Sequence, residues 1–148
     1  MDYNFDETIM SEATEMSEYY SFIYSLEVSL RNLVNRTLST TFNENWWETM
    51  ISTNIKSNVQ KKINTENNRV YSKKSIHPLS YTTFRELRLI VEQNWDLFSN
   101  ELKNKRDFIK ITEDLNVIRN NIAHSIMLPY DEILRLKLAL KDWFRLKK

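Results

Sequence analysis

Residues 105–125 read KRDFIKITEDLNVIRNNIAHS, and this stretch decides the fold. Its apolar side chains recur at every third or fourth position, at Phe108, Ile111, Leu115, Ile118 and Ile122. This spacing puts them on one face of an α-helix and leaves the polar residues on the other face. Because such a helix is stable mainly when its apolar face is packed, the stretch predicts a helix within a bundle.

Four further stretches show the same helical spacing, at about 15–40, 45–64, 83–100 and from Pro129 onward. Thr83 and Glu86 form a capping-box pattern at the start of one of them. Patterns typical of strands and hairpins are scarce. The links between most helices are short, and short links favour antiparallel neighbours. The sequence therefore predicts an all-α protein, an antiparallel bundle of four to five helices.

The chain has 148 residues, a length that suits one domain. We expect an acidic N-terminal extension over residues 1–14 and a single helical domain over residues 15–148. The extension carries Asp2, Asp6, Glu7 and Glu12 and no basic residue. The sequence leaves open whether it is an ordered helical extension or a frayed tail.

Glycine and cysteine are both absent from the chain. Phosphate-binding loops, dinucleotide-binding turns and nucleophile elbows need glycine, and thiolate metal sites, disulfides and cysteine nucleophiles need cysteine. We therefore expect no cofactor and no metal site, and we expect asparagine to end the helices in the left-handed conformation. No apolar run approaches the roughly 18 residues of a membrane span, so we expect a cytoplasmic protein without a membrane segment.

Basic residues concentrate in two stretches although the net charge is only +1. Residues 56–74 contain six basic residues and one acidic residue, and residues 135–148 contain six basic residues and one acidic residue. Such stretches can follow a phosphate backbone, and equally they can be solvated helix faces. The candidate RNA contacts in the first stretch are Lys61, Lys62, Lys73 and Lys74.

The candidate for chemistry is the group Arg119, Asn120 and His124 near the end of the predicted fourth helix. Arginine followed after a few residues by histidine, with a polar residue next to the arginine, resembles the signature of HEPN-superfamily ribonucleases. Taken by itself, His124 could equally be a histidine that interacts with the free carbonyls of a helix C-terminus.

Other parts of the chain carry the same resemblance, which spans about residues 15–145. Residues 26–33 (LEVSLRNL) are similar to the glutamate and arginine on the first long helix of several HEPN branches. The pair Trp46-Trp47, and residues 84–87 (FREL) followed by 94–98 (NWDLF), resemble a branch from prokaryotic defence and toxin systems. From their apolar character we expect the four tryptophans to be core residues.

The resemblance implies a metal-independent endoribonuclease that acts as a homodimer on RNA. It further implies a toxin or antiviral effector, with an antitoxin or regulatory protein as a possible partner. The geometry of one helix agrees with a homodimer, since Arg119 and His124 diverge by about 140° at 100° per residue. One helix cannot easily aim both at one phosphate, whereas two helices meeting across a two-fold axis can.

Residue types suggest the division of roles. Histidine exchanges protons near neutral pH, so His124 is the expected proton-transfer group. Arginine stays charged and can hold a phosphate through two donors, so Arg119 is the expected phosphate ligand. Asn120 would orient the histidine or the phosphate. Three residues are expected to support the site: Glu27, Arg31 and Asn121.

Three alternatives remain open from the sequence alone. Glu27 and Arg31 are four residues apart and could simply form a surface ion pair worth roughly 0.3–0.5 kcal/mol. The chain could be a non-catalytic HEPN module that binds RNA, a nucleotide or a partner protein. It could also be a helical adaptor in which the Arg119–His124 spacing is a coincidence.

Overall fold

The computed structural model describes residues 4–71 and 77–148, and helices form all of the regular structure in these ranges, where no strand occurs. The all-α prediction is therefore confirmed. Lys73 and Lys74 lie outside the described residues. None of the described helices is long and apolar enough to cross a membrane. The α-helices are α1 (Glu7–Phe42), α2 (Trp46–Met50), α3 (Thr53–Asn67), α4 (Phe84–Gln93), α5 (Trp95–Phe98), α6 (Lys105–Ala123) and α7 (Tyr130–Leu146).

Helix α1 begins eight residues before its predicted start, so the acidic N-terminal stretch is helical from Glu7 onward. Asp6 starts the helix, because its Oδ1 accepts a hydrogen bond from the backbone N–H of Thr8 at 2.8 Å. After Phe42 the chain turns at Asn43, whose φ of 62° is left-handed. An asparagine ends this helix, as the absence of glycine predicts.

Two helices predicted as continuous are broken. In the predicted helix over 45–64, Ile51 is extended (φ −101°, ψ 136°) between α2 and α3. The hydroxyl of Ser52 then accepts a hydrogen bond from the N–H of Ile55 and starts α3. The predicted helix over 83–100 breaks at Asn94, whose side chain donates to the carbonyl of Ile90 at 2.9 Å. The apolar spacing continues through both breaks and predicts one helix in each stretch, but polar side chains cap the backbone and interrupt the helix.

The chain divides into two compact units. The first contains the described residues up to Val28 together with Leu102–Lys148, and the second contains the described residues of Ser29–Glu101. In the first unit α6 and α7 pack against each other. The N–H of Lys103 donates to the carbonyl of Leu146 at 2.9 Å, so the start of α6 lies beside the end of α7 and the pair is antiparallel. The rings of Phe108 and Trp143 lie 6.3 Å apart in this pair.

The second unit contains the predicted capping box, in which Thr83 and Glu86 exchange hydrogen bonds at the start of α4. Trp46 and Trp47 are buried there, and Trp143 is buried in the first unit. The core prediction for these three is therefore confirmed, whereas Trp95 is only half-buried. His77 stacks on the ring of Trp46 at 5.2 Å, and its Nδ1 accepts the N–H of Leu79 at 3.0 Å.

His77 should make the stability of the protein depend on pH. Loss of water around the imidazole lowers the pKa of His77 below its ordinary value of 6.5. The imidazole of His77 then binds fewer protons in the folded protein than in the unfolded chain. Its contribution to the free energy of unfolding is therefore complete above about pH 6.5 and is lost as the pH falls below that value. We expect the unfolding midpoint to fall between pH 7.5 and pH 5.5, measured by thermal denaturation.

The matched variant is His77→Asn, which keeps an acceptor for the N–H of Leu79 and cannot gain a proton in this range. Its midpoint should fall less than that of the wild type over the same interval. Equal falls in the two proteins would show that the imidazole of His77 does not contribute to the pH dependence.

Candidate active site

Helix α6 carries the Arg119–His124 group, and its position is fixed at both ends and along its buried face. At its start the side chain of Asn104 accepts the N–H of Asp107 at 3.0 Å. Its buried face consists of Phe108, Thr112, Leu115 and Ile118. The buried hydroxyl of Thr112 donates to the carbonyl of Phe108 at 2.7 Å, which satisfies the one polar group on this face.

The end of α6 is a Schellman motif that places His124 at the C-cap. Ser125 adopts a left-handed conformation (φ 59°), and its N–H donates to the carbonyl of Ile122 at 3.1 Å. The N–H of Ile126 donates to the carbonyl of Asn121 at 3.0 Å. These two bonds define the motif. The prediction that His124 lies near a helix C-terminus therefore agrees with the structure, whereas a serine rather than an asparagine takes the left-handed position.

Replacing Ser125 by glycine should stabilise the protein. A left-handed conformation costs a non-glycine residue roughly 1–2 kcal/mol, and the greater freedom of glycine in the unfolded chain offsets part of this gain. We expect Ser125→Gly to raise the free energy of unfolding by about 0.5–1 kcal/mol, measured by urea denaturation. Ser125→Val should lower it, because a β-branched side chain tolerates positive φ poorly. A glycine variant less stable than the valine variant would contradict this account.

Arg119 contacts Glu27, which lies on α1 within the same unit. The Nε of Arg119 lies 3.7 Å from Oε1 of Glu27, and the two side chains are 34% and 21% exposed. An ion pair with this exposure contributes about 0.2–1 kcal/mol to stability. The distance is longer than a hydrogen bond, so the contact is an electrostatic attraction between the two side chains. The side chain of Arg119 remains partly exposed, so a ligand can reach it from solvent.

The polar side chains beside Arg119 are open to solvent. Nη1 of Arg119 lies 3.5 Å from Oδ1 of Asn120, a long and weak hydrogen bond. Asn120 and His124 are exposed, and Asn121 is half-buried. The backbone N–H of His124 donates to the carbonyl of Asn120 at 3.1 Å. The structure thus supplies a cation, an amide and an accessible imidazole at one end of one helix.

Arg31 belongs to the second unit and makes different contacts from those of Glu27. Its Nε donates to the carbonyl of Leu79 at 3.3 Å, and its Nη2 donates to the carbonyl of Thr82 at 3.0 Å. These bonds hold the turn that precedes α4. Of the two supporting residues predicted on α1, the structure brings Glu27 to Arg119 and engages Arg31 with backbone carbonyls.

A basic groove of about 330 Å³ lies at the C-terminal end of α3, in the second unit. Lys61 and Lys62 line it, and Nζ of Lys62 donates to the carbonyl of Tyr81 at 2.9 Å. Arg69 lines the same groove. Arg69 belongs to the basic stretch of the sequence, but it was not among the candidate RNA contacts. Its charge alone does not distinguish a groove residue from a residue on a solvated helix face. In residues 4–71 and 77–148, no group of three or more metal-ligating side chains could hold a metal ion.

The all-helical fold is consistent with a HEPN-type domain. A model of the Swt1-like HEPN family matches residues 22–146. The chain therefore belongs to the Swt1-like HEPN family. The match leaves out the first 21 residues, which include the acidic N-terminal stretch. Neither a curated protein nor a solved structure matches the chain.

Proposed function

We propose that this protein is a metal-independent endoribonuclease whose site contains Arg119, Asn120 and His124. The observation that carries the proposal is the pairing of Arg119 with Glu27 at 3.7 Å beside the exposed His124 at the end of α6. A cation paired with a carboxylate, next to an accessible imidazole, suits phosphodiester chemistry. Membership in an HEPN family supports the same activity.

The proposed reaction uses the nucleophile that RNA itself contains. The imidazole of His124 takes the proton of a ribose 2′-OH while the 2′ oxygen attacks the adjacent phosphorus. The bond from phosphorus to the 5′ oxygen of the next nucleotide breaks, and that oxygen takes a proton from a second imidazole. Arg119 holds the non-bridging oxygens as negative charge grows on them. The products are a 2′,3′-cyclic phosphate and a free 5′-hydroxyl.

The second imidazole would come from the partner copy in a two-fold dimer. His124 is one of only two histidines, and His77 belongs to the other unit, where it stacks on Trp46. Two copies of α6 meeting across an axis would supply two imidazoles and two guanidinium groups to one groove. In the second unit, the basic groove of Lys61, Lys62 and Arg69 is a further candidate for contacts to an RNA backbone, and such contacts carry affinity but no sequence preference.

The proposed biological role is that of a toxin or antiviral effector that a regulatory protein keeps silent. The resemblance of the Trp46-Trp47 pair and of residues 84–98 to defence and toxin proteins supports this role. Expression of the wild-type protein should then slow cell growth, and expression of His124→Ala should not.

The direct test is cleavage of RNA by the purified protein in excess EDTA. We expect cleavage of an all-RNA oligonucleotide, and no cleavage of the same sequence with 2′-deoxyribose throughout, because the deoxy strand lacks the attacking oxygen. A chimera with one ribose should be cut only after that ribose and should yield a 2′,3′-cyclic phosphate, identified by mass spectrometry. Cleavage that needs a divalent ion, or that cuts the deoxy strand equally well, would overturn the proposal.

A further inference from the structure

The N-terminal part of α1 is an uncovered helix. Residues 4–18 are exposed except for Met16, which is half-buried, and they include about three turns of regular helix. Isolated helices of this length are marginal in water, so most helices of proteins are stabilised by packing. We call residues 4–24 the arm. Its length and exposure point to a packing partner other than the rest of residues 4–71 and 77–148 of the same copy.

One side of the arm is apolar. Ile9, Met16, Tyr20 and Tyr24 fall within about 80° of each other around the helix, and the middle of this range lies about 100° away from the buried Tyr19. Tyr20 is 55% exposed, and its ring lies 6.2 Å from that of Tyr24. We call these four residues the arm seam. The same line continues along α1 to Glu27, the residue that holds Arg119.

The arm is also strongly acidic. Residues 4–24 contain five acidic residues and no basic residue: Asp6, Glu7, Glu12, Glu15 and Glu18. A partner for this helix should therefore offer apolar side chains surrounded by positive charge.

Helix α7 has such a surface on its outer side. Tyr130, Leu134 and Leu138 are spaced by four residues and are 76%, 43% and 57% exposed. They lie on the side of α7 opposite its buried face. We call them the outer stripe. Residues 130–148 contain six basic and three acidic residues, and Lys137 and Lys141 lie on the same side as the outer stripe.

We propose that the arm seam of one copy docks on the outer stripe of α7 in a second copy, and that the second copy returns the same contact. This docking rests on the homodimer of the proposed function, and it identifies one of the surfaces through which the two copies contact each other. Three of the four arm-seam residues and all three residues of the outer stripe are exposed within one chain, so the arm does not cover the outer stripe of its own α7. Acidic arm and basic α7 complement each other, and the two-fold axis makes the contact twice.

Charge reversal tests the pairing in the full-length chain. Glu12→Lys, Glu15→Lys and Glu18→Lys together leave the arm with two acidic and three basic residues. Lys137→Glu and Lys141→Glu leave residues 130–148 with five acidic and four basic residues. Each set should raise the dimer dissociation constant about ten-fold or more at low salt, measured by analytical ultracentrifugation. All five positions are exposed, so the fold should survive, as circular dichroism can verify.

Mixing the two reversed proteins is the decisive measurement. In a mixed dimer the basic arm meets the acidic α7, and the remaining acidic arm meets the remaining basic α7, so dimers should form although neither protein forms them alone. Glu44→Lys with Glu48→Lys, two exposed positions in the second unit, is the control for added positive charge and should dimerise like the wild type. Dimers that survive both reversals, or a mixture that stays monomeric, would overturn the proposal.

Measuring RNA cleavage together with dimerisation distinguishes a failure of the docking proposal from a failure of the proposed nuclease function. If arm reversal abolishes the dimer of a wild-type protein that never cleaves RNA, the docking stands and the nuclease fails. If arm reversal changes neither dimerisation nor cleavage, the docking fails and the nuclease stands. If the wild-type protein cleaves RNA as a monomer, both the composite site and the docking fail.

Discussion

His124→Ala should reduce the rate of RNA cleavage by about 10²–10⁴-fold, the usual contribution of a positioned proton-transfer group. The loss should be in kcat, because an alanine cannot move a proton but leaves the cationic contacts to RNA in place. His124 is exposed, so the free energy of unfolding should change little. The measurement is single-turnover cleavage of an end-labelled RNA in EDTA.

His77→Asn is the matched control, because it removes the other histidine and leaves α6 untouched. It should cleave RNA at nearly the wild-type rate. Equal cleavage by the wild type and His124→Ala would assign the activity to another site or to a contaminant. Equal inertness of the two proteins, with RNA still bound, would favour the non-catalytic HEPN module.

Arg119→Lys should reduce cleavage by about 10²–10³-fold, comparable to removal of one donor from a charge-stabilising site. Lysine keeps the positive charge but presents a point charge in place of the planar fork that matches two phosphate oxygens. The free energy of unfolding should fall by less than about 1 kcal/mol, because the ion pair is partly exposed.

Arg36→Lys is a matched control for Arg119→Lys. Arg36 also pairs with a glutamate, since its Nη2 lies 3.0 Å from Oε2 of Glu101, but the pair is exposed and lies in the second unit. This variant should cleave RNA normally. If both arginine variants lost activity equally, general loss of charge rather than the geometry of Arg119 would be the cause.

Mixing the inactive variants Arg119→Ala and His124→Ala tests whether the site is shared between copies. A mixed dimer contains one intact Arg119 and one intact His124 on different chains, so a shared groove should recover part of the wild-type activity. Two sites that each lie within a single chain would recover none. Full recovery is not expected, because the mixed groove lacks the second imidazole.

Several features of this protein follow from its sequence by local rules. The spacing of apolar residues predicts α6 correctly, and the Thr83–Glu86 pattern predicts the capping box at α4. These features depend on residues within one or two turns of each other, whose interactions are fixed once the backbone is helical. The absence of glycine also predicts the left-handed asparagine after α1.

Other features depend on contacts that no local pattern contains. The breaks at Ile51 and Asn94 arise because polar side chains cap the backbone inside an apolar spacing that suits one long helix. The two supporting residues predicted on α1 make contacts in different units. Glu27 pairs with Arg119 in the first unit. Arg31 donates to the carbonyls of Leu79 and Thr82 in the second unit.

The sequence by itself determined the helical class and the capping signals, and it identified Arg119, Asn120 and His124 as the candidate group for chemistry. Only the tertiary structure decided that Glu27 pairs with Arg119, that Ser125 ends α6 behind His124, and that one face of the arm is exposed among the described residues. The physical reason is that helical spacing specifies which side of a helix is apolar, but packing chooses the partner of each side. A carboxylate 92 positions away along the chain can be recognised as that partner only when the fold brings it near.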